Sequence, residues 1–129
     1  MAGPIVRFRI DFADNCSLGP GKIRLLEAIR DSGSLSQGAR DLGMSYRRAW
    51  LLVESLKHSF REPVTVASAG GKDGGGMMIT ALGDALIKNY RELERDFAAL
   101  AARRLHAIIA TASRHSSSDV RTSVRAKLE

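Results

Sequence analysis

The first residues of the chain alternate between apolar and polar side chains. Val6, Phe8, Ile10 and Phe12 are apolar, and the positions between them are mostly polar. A period of two is typical of a strand with one buried face, so we predict an N-terminal strand over residues 5–12. Residues 14–21 are rich in turn-forming types and predict a loop, in which Cys16 is expected to be an ordinary small residue.

From residue 21 the spacing of the apolar residues changes to that of a helix. A first helix is predicted over residues 21–31 and is ended by Gly33; its core side carries Ile23, Leu25, Leu26 and Ile29. Ser34 and Gln37 have the spacing of a capping box, in which each residue satisfies a free backbone N–H of the other. A short second helix is therefore predicted through Leu42, with a buried side of Leu35, Ala39 and Leu42.

A third helix is predicted after a tight turn at Gly43. Glycine can adopt the left-handed conformation that closes the preceding helix, and Ser45 can cap the next one. One stripe of this helix is apolar and consists of Ala49, Leu52, Val53, Leu56 and Phe60. The opposite side carries Arg47, Leu51, Glu54 and His58, flanked by Tyr46, Arg48 and Trp50. Spacing alone fits either a DNA-recognition helix or an ordinary amphipathic core helix with solvated arginines.

A glycine-rich hairpin is predicted beyond Pro63. Residues 64–66 begin a strand, residues 77–79 form its partner, and residues 70–76 between them are mostly glycine. The segment does not fit a phosphate-binding P-loop, which needs glycine and Ser or Thr where this chain has Val66 and Asp73. Two interpretations stay open: a flexible hairpin without function, or a wing whose backbone and Lys72 approach DNA phosphates or the minor groove.

The order helix, tight turn, helix, hairpin favours a winged helix-turn-helix. In that motif the start of the second helix crosses the sugar-phosphate backbone, which makes Ser36 and Gln37 candidate contacts; capping fully explains Ser34. The start of the third helix would meet base edges and phosphates in the major groove. The candidate DNA-binding residues are Ser36, Gln37, Ser45, Tyr46, Arg47, Arg48 and Lys72.

A long helix, capped by Thr80, is predicted from residue 81 to about 112, on the order of 45 Å. Its apolar residues repeat at steps of four and three, with a one-residue slip after Leu100. Either the helix completes the core and overshoots it, or its second half pairs with the same helix of a second subunit; its length favours pairing. The candidate dimer-interface residues are Tyr90, Leu93, Phe97, Leu100, Leu105 and Ile108.

Length and charge limit the function classes. The 129 residues suffice for one domain, and the net charge of +6 favours a polyanionic partner. Residues 99–129 carry six basic and two acidic side chains, so charge alone does not locate a DNA-binding face. A single cysteine excludes an intramolecular disulfide, and we predict neither a metal site nor a cofactor. Without a signal-peptide pattern or a membrane-length apolar run, a cytoplasmic protein with no membrane partner is expected.

These motifs together resemble a known family. The segments are GPGKIRLLEAI (residues 19–29), GSLSQ (33–37), LGMSYRRAW (42–50), FREP (60–63) and the glycine-rich stretch from 70 to 80. They resemble the N-terminal DNA-binding domain of the ModE-type molybdate-responsive transcriptional regulators, a winged helix related to the LysR-type module. The likeness covers about residues 6–98. It implies a dimer on a roughly palindromic operator, with residues 45–48 at the major groove and Lys72 in the wing.

The predicted fold class is mainly α (α+β): a winged helix-turn-helix with an N-terminal strand, a two-stranded wing and a long C-terminal dimerisation helix. The expected divisions are a DNA-binding domain over 1–80, a pairing helix over 81–113 and a polar basic tail over 114–129. Molybdate-sensing members of the family carry C-terminal oxyanion-binding domains, whereas this chain continues as a helix and tail. The resemblance therefore does not extend to molybdate sensing.

The function expected from the sequence is sequence-specific binding of double-stranded DNA by a homodimeric transcriptional regulator. The alternative is an adaptor with the same fold that docks a partner regulator or responds to an oxyanion such as molybdate. An enzyme is disfavoured because the sequence shows no Ser/His/Asp or Cys/His arrangement, paired-carboxylate motif or nucleotide loop.

Overall fold

The computed structural model describes residues 3–69 and 75–112. It is a mainly helical α+β fold with the elements of a winged helix-turn-helix, as predicted. In chain order they are β1 Ile10–Ala13, β2 Cys16–Leu18, α1 Pro20–Ser32, α2 Leu35–Asp41, α3 Tyr46–Ser59, β3 Thr65–Ser68, β4 Gly76–Ile79, α4 Ala81–Arg104 and α5 His106–Ala112. One compact unit comprises residues 6–95, and the other described residues, 3–5 and 96–112, belong to a second unit.

The N-terminal strand is shorter than predicted and belongs to a hairpin. Strand β1 begins only at Ile10 and pairs antiparallel with β2, which lies inside the segment predicted to be a loop. Asn15, with a φ of 59°, makes the turn between them. The register shifts between Asp11 and Ala13, and Phe12, predicted to face the core, is 52% exposed. The bulge thus ends the alternation that the sequence shows over residues 5–12.

The three helices of the motif form as predicted. Gly33 ends α1 with a φ of 72° and Gly43 ends the α2 turn with a φ of 66°, both in the left-handed region that favours glycine. Ser45 caps α3 through its hydroxyl oxygen, which accepts the backbone N–H of Arg48 at 3.1 Å. The caps therefore fix the sharp turn between α2 and α3.

Two apolar clusters hold α3 in place. The first combines α1, α2 and the N-terminal half of α3 through Leu25, Ile29, Leu35, Ala39, Ala49 and Val53. The second joins α1 and the C-terminal half of α3 to β2 and α4 through Leu18, Ile23, Leu26, Leu56, Val64, Ile87 and Tyr90. Because α3 contributes to both clusters along its length, its roll about its own axis is fixed by close packing.

The wing hairpin is attached to the helices by backbone hydrogen bonds. Strands β3 and β4 pair antiparallel, with Thr65 opposite Ile79 and Val66 opposite Met78. Met77 N donates to Gly33 O at 2.9 Å, and Gly76 forms an isolated bridge with Ser34. These contacts place the loop end of the strand pair, where Gly76 lies opposite Ser68, beside the start of α2.

The C-terminal helix is interrupted, which corrects the prediction of one helix from 81 to about 112. Helix α4 ends at Arg104 and α5 begins at His106. Leu105 N still donates to Ala101 O at 2.9 Å, and Leu105 O accepts from Ile109 N at 2.8 Å. The interruption is therefore local. The predicted cap at Thr80 is confirmed, since Gly83 N donates to its Oγ1 at 3.2 Å.

Candidate nucleic-acid interface

The exposed face of α3 is the centre of the candidate interface. Arg47 and Arg48 are exposed in its first turn, and no other described residue pairs with either guanidinium group. The first turn also exposes Tyr46. The positive end of the helix dipole lies at the same end, so charge and dipole both attract an anion there.

The apolar residues of this face were assigned to it by the sequence but given no role. Trp50 is 45% exposed and Leu51 is 50% exposed, so neither takes part in the packing that buries Ala49 and Val53. One turn later, Glu54 Oε2 lies 3.5 Å from His58 Nε2. Along the helix, this face is therefore first basic, then apolar, and finally carries the pair of Glu54 and His58.

Helix α2 begins with polar groups that are largely engaged with each other. Ser34 caps it by accepting the Gln37 N–H at 3.1 Å, as predicted. The reciprocal half of the capping box was predicted wrongly. The Gln37 side-chain amide instead donates to Asp41 Oδ1 at 2.7 Å, and Ser32 Oγ accepts the Ser34 N–H at 3.3 Å. Asp41, one helical turn along, competes successfully for the amide.

Ser36 and Gln37 are half-buried at the start of α2, close in sequence to Ser34, which bridges to Gly76 of β4. The Ser36 hydroxyl lies 3.1 Å from that of Ser34, and Gln37 Oε1 accepts from Arg40 Nη2 at 2.9 Å. Sequence reasoning missed Arg40, which this bond brings next to the candidate contacts. Lys72, the candidate from the wing, lies outside the described residues and stays a prediction.

A buried lysine links α3 to the N-terminal hairpin and was not predicted from the sequence. Lys22 Nζ donates to Ser17 O at 2.7 Å and to Ser55 Oγ at 2.9 Å, and the residue is only 8% exposed. Burial lowers the pKa of its ammonium group. The Cys16 thiol itself donates to Ser59 O at 3.3 Å, so two hydrogen bonds hold the C-terminal half of α3.

Tyr90 is not available for a dimer interface, which corrects its predicted role. Its side chain is 1% exposed within its own subunit, its ring stacks on Phe8 at 4.4 Å, and its hydroxyl donates to Phe8 O. The four-and-three spacing that suggested a subunit seam is, at this position, the spacing of a core helix. Leu93 is half-buried, and four of the remaining candidates are exposed: Phe97, Leu100, Leu105 and Ile108.

An ion-pair network lies on the α1 side of α4. Arg91 Nε donates to Glu27 Oε2 at 3.0 Å, and Arg91 Nη1 donates to Glu94 Oε1 at 2.7 Å. These bonds raise the pKa of the guanidinium group. Within residues 3–69 and 75–112, no three His, Cys, Asp or Glu side chains are placed to hold a metal ion, and no helix has the length and apolarity to cross a membrane.

The chain has sequence relatives among curated proteins. The "Molybdenum transport protein ModE" of Azotobacter vinelandii is 34% identical over 93 residues, which are 72% of this chain and 34% of that protein. The "Molybdenum-pterin-binding protein MopA" of Rhodobacter capsulatus is 42% identical over 77 residues, 60% of this chain and 29% of that protein. The "DNA-binding transcriptional dual regulator ModE" of Escherichia coli K12 is 41% identical over 71 residues, 55% and 27% respectively.

The chain thus spans about a third or less of the length of these relatives. No protein-family model matches it. Among solved structures, ArgP from Mycobacterium tuberculosis aligns with a TM-score of 0.45 and 18% identity over 69% of this chain and 30% of that chain. At that level of likeness the fold assignment rests on this chain's own elements. The resemblance found in the sequence motifs is confirmed: in its N-terminal part, the chain is a relative of the ModE-type transcriptional regulators.

Proposed function

We propose that the protein is a sequence-specific DNA-binding transcriptional regulator that acts in the cytoplasm as a homodimer on a roughly palindromic site. One observation carries the proposal: Arg47 and Arg48 are exposed, without partners among the described residues, at the start of a capped helix. The name of the Escherichia coli relative, a DNA-binding transcriptional dual regulator, supports the same class of function.

In this proposal α3 enters the major groove with its N-terminal end. Arg47 and Arg48 donate two hydrogen bonds each to a guanine edge or to a phosphate. The Ser45 hydroxyl keeps its cap by accepting from Arg48 N and still has its own proton to donate to a phosphate, as does the Tyr46 hydroxyl. The start of α2, with Ser36 and Gln37, contacts the sugar-phosphate backbone.

The wing completes the contact. The bridge between Gly76 and Ser34 fixes the loop end of its strand pair beside the start of α2. Lys72 in the tip neutralises a phosphate or enters the minor groove. Each phosphate neutralised releases counterions, and binding therefore weakens as salt is added.

Two copies are needed to match a two-fold operator. Pairing of the C-terminal segments is supported by four exposed apolar side chains, those of Phe97, Leu100, Leu105 and Ile108. Burying large apolar side chains between two copies removes them from water, which lowers the free energy of the dimer. Half-sites would then lie about one duplex turn apart, ~34 Å. Sedimentation of the wild type against Leu105→Ser with Ile108→Ser tests the pairing, because loss of these side chains should yield monomers.

The direct test of DNA recognition is the double variant Arg47→Ala, Arg48→Ala in a binding assay at fixed salt, on a duplex selected from a random library. Each contact contributes about 1–3 kcal/mol, so affinity should fall by roughly 30-fold or more, and the salt slope should decrease by about 1–2. The matched control is Arg24→Ala, Arg95→Ala, which removes the same charge from α1 and α4. Equal affinities of the two double variants would defeat the proposal.

A second candidate function follows from the names of the relatives, two of which refer to molybdenum. An adaptor of this fold could respond to molybdate or dock a partner regulator through its exposed C-terminal apolar residues. A molybdate titration that raises the melting temperature would favour the response to molybdate. A monomer that associates only with another protein would favour the docking of a partner regulator. We infer a binding protein rather than an enzyme in all cases, because the sequence has no catalytic arrangement.

A further inference from the structure

Two large apolar side chains lie next to each other on the outer face of α3, where a soluble helix normally carries polar residues. Trp50 and Leu51 are about half exposed, and both are absent from the two core clusters. At 100° per residue they lie within about 60° of Arg47 around the helix axis, one on each side. The apolar pair therefore belongs to the same face as the arginine that begins the candidate interface.

Neither Trp50 nor Leu51 belongs to the buried stripe of α3. The buried stripe of α3 consists of Ala49, Val53 and Leu56; Leu51 lies on the opposite side of the helix and Trp50 on its flank. Clustered exposed apolar residues usually mark a contact with another molecule. The neighbouring charge indicates which molecule: Arg47 and Arg48, without partners among the described residues, favour a polyanion.

In the major groove the apolar group offered by a base pair is the 5-methyl group of thymine. Leu51 lies four residues after Arg47, a rise of about 6 Å, which corresponds to roughly two base-pair steps. A helix that places Arg47 on a base edge or phosphate therefore brings Leu51 and Trp50 to bases one or two steps away.

Glu54 limits how far the contact extends. It follows Trp50 and Leu51 on the same face, and its carboxylate lies 3.5 Å from the exposed His58 imidazole. A carboxylate on this face repels phosphates, so close contact is confined to the first two turns of α3. Trp50 and Leu51 are the last groups within those turns that point at the groove.

We propose that Leu51 and Trp50 are specificity-determining residues that contact thymine 5-methyl groups in each half-site. The inference rests on the proposed DNA-binding function and names the bases that its apolar pair selects. Arg47 and Arg48 supply attraction and register, whereas the apolar pair distinguishes thymine from the other bases by burying its methyl group.

The test replaces single thymines by deoxyuridine in the duplex selected by the wild-type protein from a random library. This exchange removes one methyl group and leaves base pairing unchanged. Burial of one such group is worth about a fourfold change in affinity. At one or two positions per half-site, deoxyuridine should weaken wild-type binding about fourfold, and the penalty should disappear in Leu51→Ala or Trp50→Ala.

Both side chains are exposed, so the variants should fold; a melting temperature equal to that of the wild type verifies this. Ile5→Ala is the matched control, since Ile5 is an exposed aliphatic residue far from α3 in sequence, and it should keep the full deoxyuridine penalty. Affinity that is insensitive to deoxyuridine at every position would overturn the inference, as would penalties that persist in both variants. If Trp50 and Leu51 bind a protein partner instead of DNA, substituting either residue should leave any deoxyuridine penalty unchanged.

The two proposals fail in distinguishable ways. If the wild type selects no sequence from the library, the DNA-binding function itself is wrong. If it selects a site whose affinity depends on Arg47 and Arg48 but not on thymine methyl groups, the proposed function stands and this inference is wrong.

Discussion

The Tyr90 hydroxyl donates a hydrogen bond to the Phe8 carbonyl oxygen at 2.5 Å, and the two rings stack with centroids 4.4 Å apart. The contact joins residues 82 positions apart in the chain. It attaches the segment that precedes β1 to the middle of α4, within the compact unit of residues 6–95. Because Tyr90 is buried, this contact is expected to contribute to the stability of that unit.

The first prediction concerns this contact. Tyr90→Phe should lower the free energy of unfolding by about 1 kcal/mol, since the ring stays and only the hydrogen bond is lost. Tyr90→Ala should cost roughly 3–5 kcal/mol because it also leaves a cavity. Chemical denaturation measures both. Tyr46→Phe is the control, because Tyr46 is exposed; a Tyr90→Phe variant as stable as this control would contradict the prediction.

The second prediction concerns Gly83 in the first turn of α4. Helix propensity alone would make Gly83→Ala stabilising by roughly 1 kcal/mol. A β-carbon there would, however, lie 2.7 Å from Val64 O and closer still to the Ile79 side chain. We expect a net loss of about 1–3 kcal/mol from overpacking. Gly21→Ala in α1 has open space around its new methyl group and should be neutral or stabilising; equal melting temperatures for the two variants would contradict the prediction.

The third prediction separates the capping of α3 by Ser45 from the proposed role of Ser45 in binding DNA. Ser45→Ala should destabilise the protein by about 1 kcal/mol, since the Arg48 N–H loses its side-chain acceptor. Ser45→Asp keeps an acceptor and should retain near wild-type stability, but its negative charge should weaken DNA binding about tenfold or more. Thermal melting and a binding titration measure the two effects. Full DNA affinity in Ser45→Asp would show that Ser45 is not close to phosphates.

The fourth prediction concerns the buried Lys22 ammonium group. Its pKa lies below the ordinary 10.5, mainly because of burial, so the folded protein releases this proton at lower pH than the unfolded chain does. The unfolded state then binds more protons in the window below 10.5, and this group makes stability rise with pH there. The gain is absent in Lys22→Met.

The quantity to measure is the difference in unfolding free energy between wild type and Lys22→Met, from neutral pH upwards. Tyr90 acts in the opposite sense, because its raised pKa lets the unfolded chain lose the phenolic proton first as pH rises above 10. Its contribution is common to both proteins and cancels in the difference. Lys57→Met, at an exposed position of α3, is the control. A difference that stays constant with pH would contradict the prediction.

The local features of the motif could be predicted because they depend on few neighbouring residues. Gly33, Gly43, Ser34 and Ser45 take their predicted places, since left-handed turns and side-chain caps are decided within four residues. The buried stripe of α3 follows from helical periodicity in the same way. The exposed position of Arg47 and Arg48 is a consequence of that stripe.

Features that depend on distant partners could not be predicted. The spacing that includes Tyr90 is the same for a core helix and for a subunit seam, and only Phe8, far away in sequence, decides between them. The burial of Lys22 depends on acceptors from β2 and α3, which helical spacing does not reveal. Strand β2 was missed because three residues among turn-formers give too short a pattern.

The attachment of the wing to the rest of the molecule has a consequence for how the proposed DNA specificity can change. Met77 N bonds to Gly33 O, and Gly76 bridges to Ser34, so main-chain atoms set the angle between hairpin and helix. Exposed side chains such as Val66 and Met78 can therefore be exchanged without turning the hairpin. In the proposed complex, the side chains that face the duplex can change by substitution while the angle at which the hairpin approaches it stays constant.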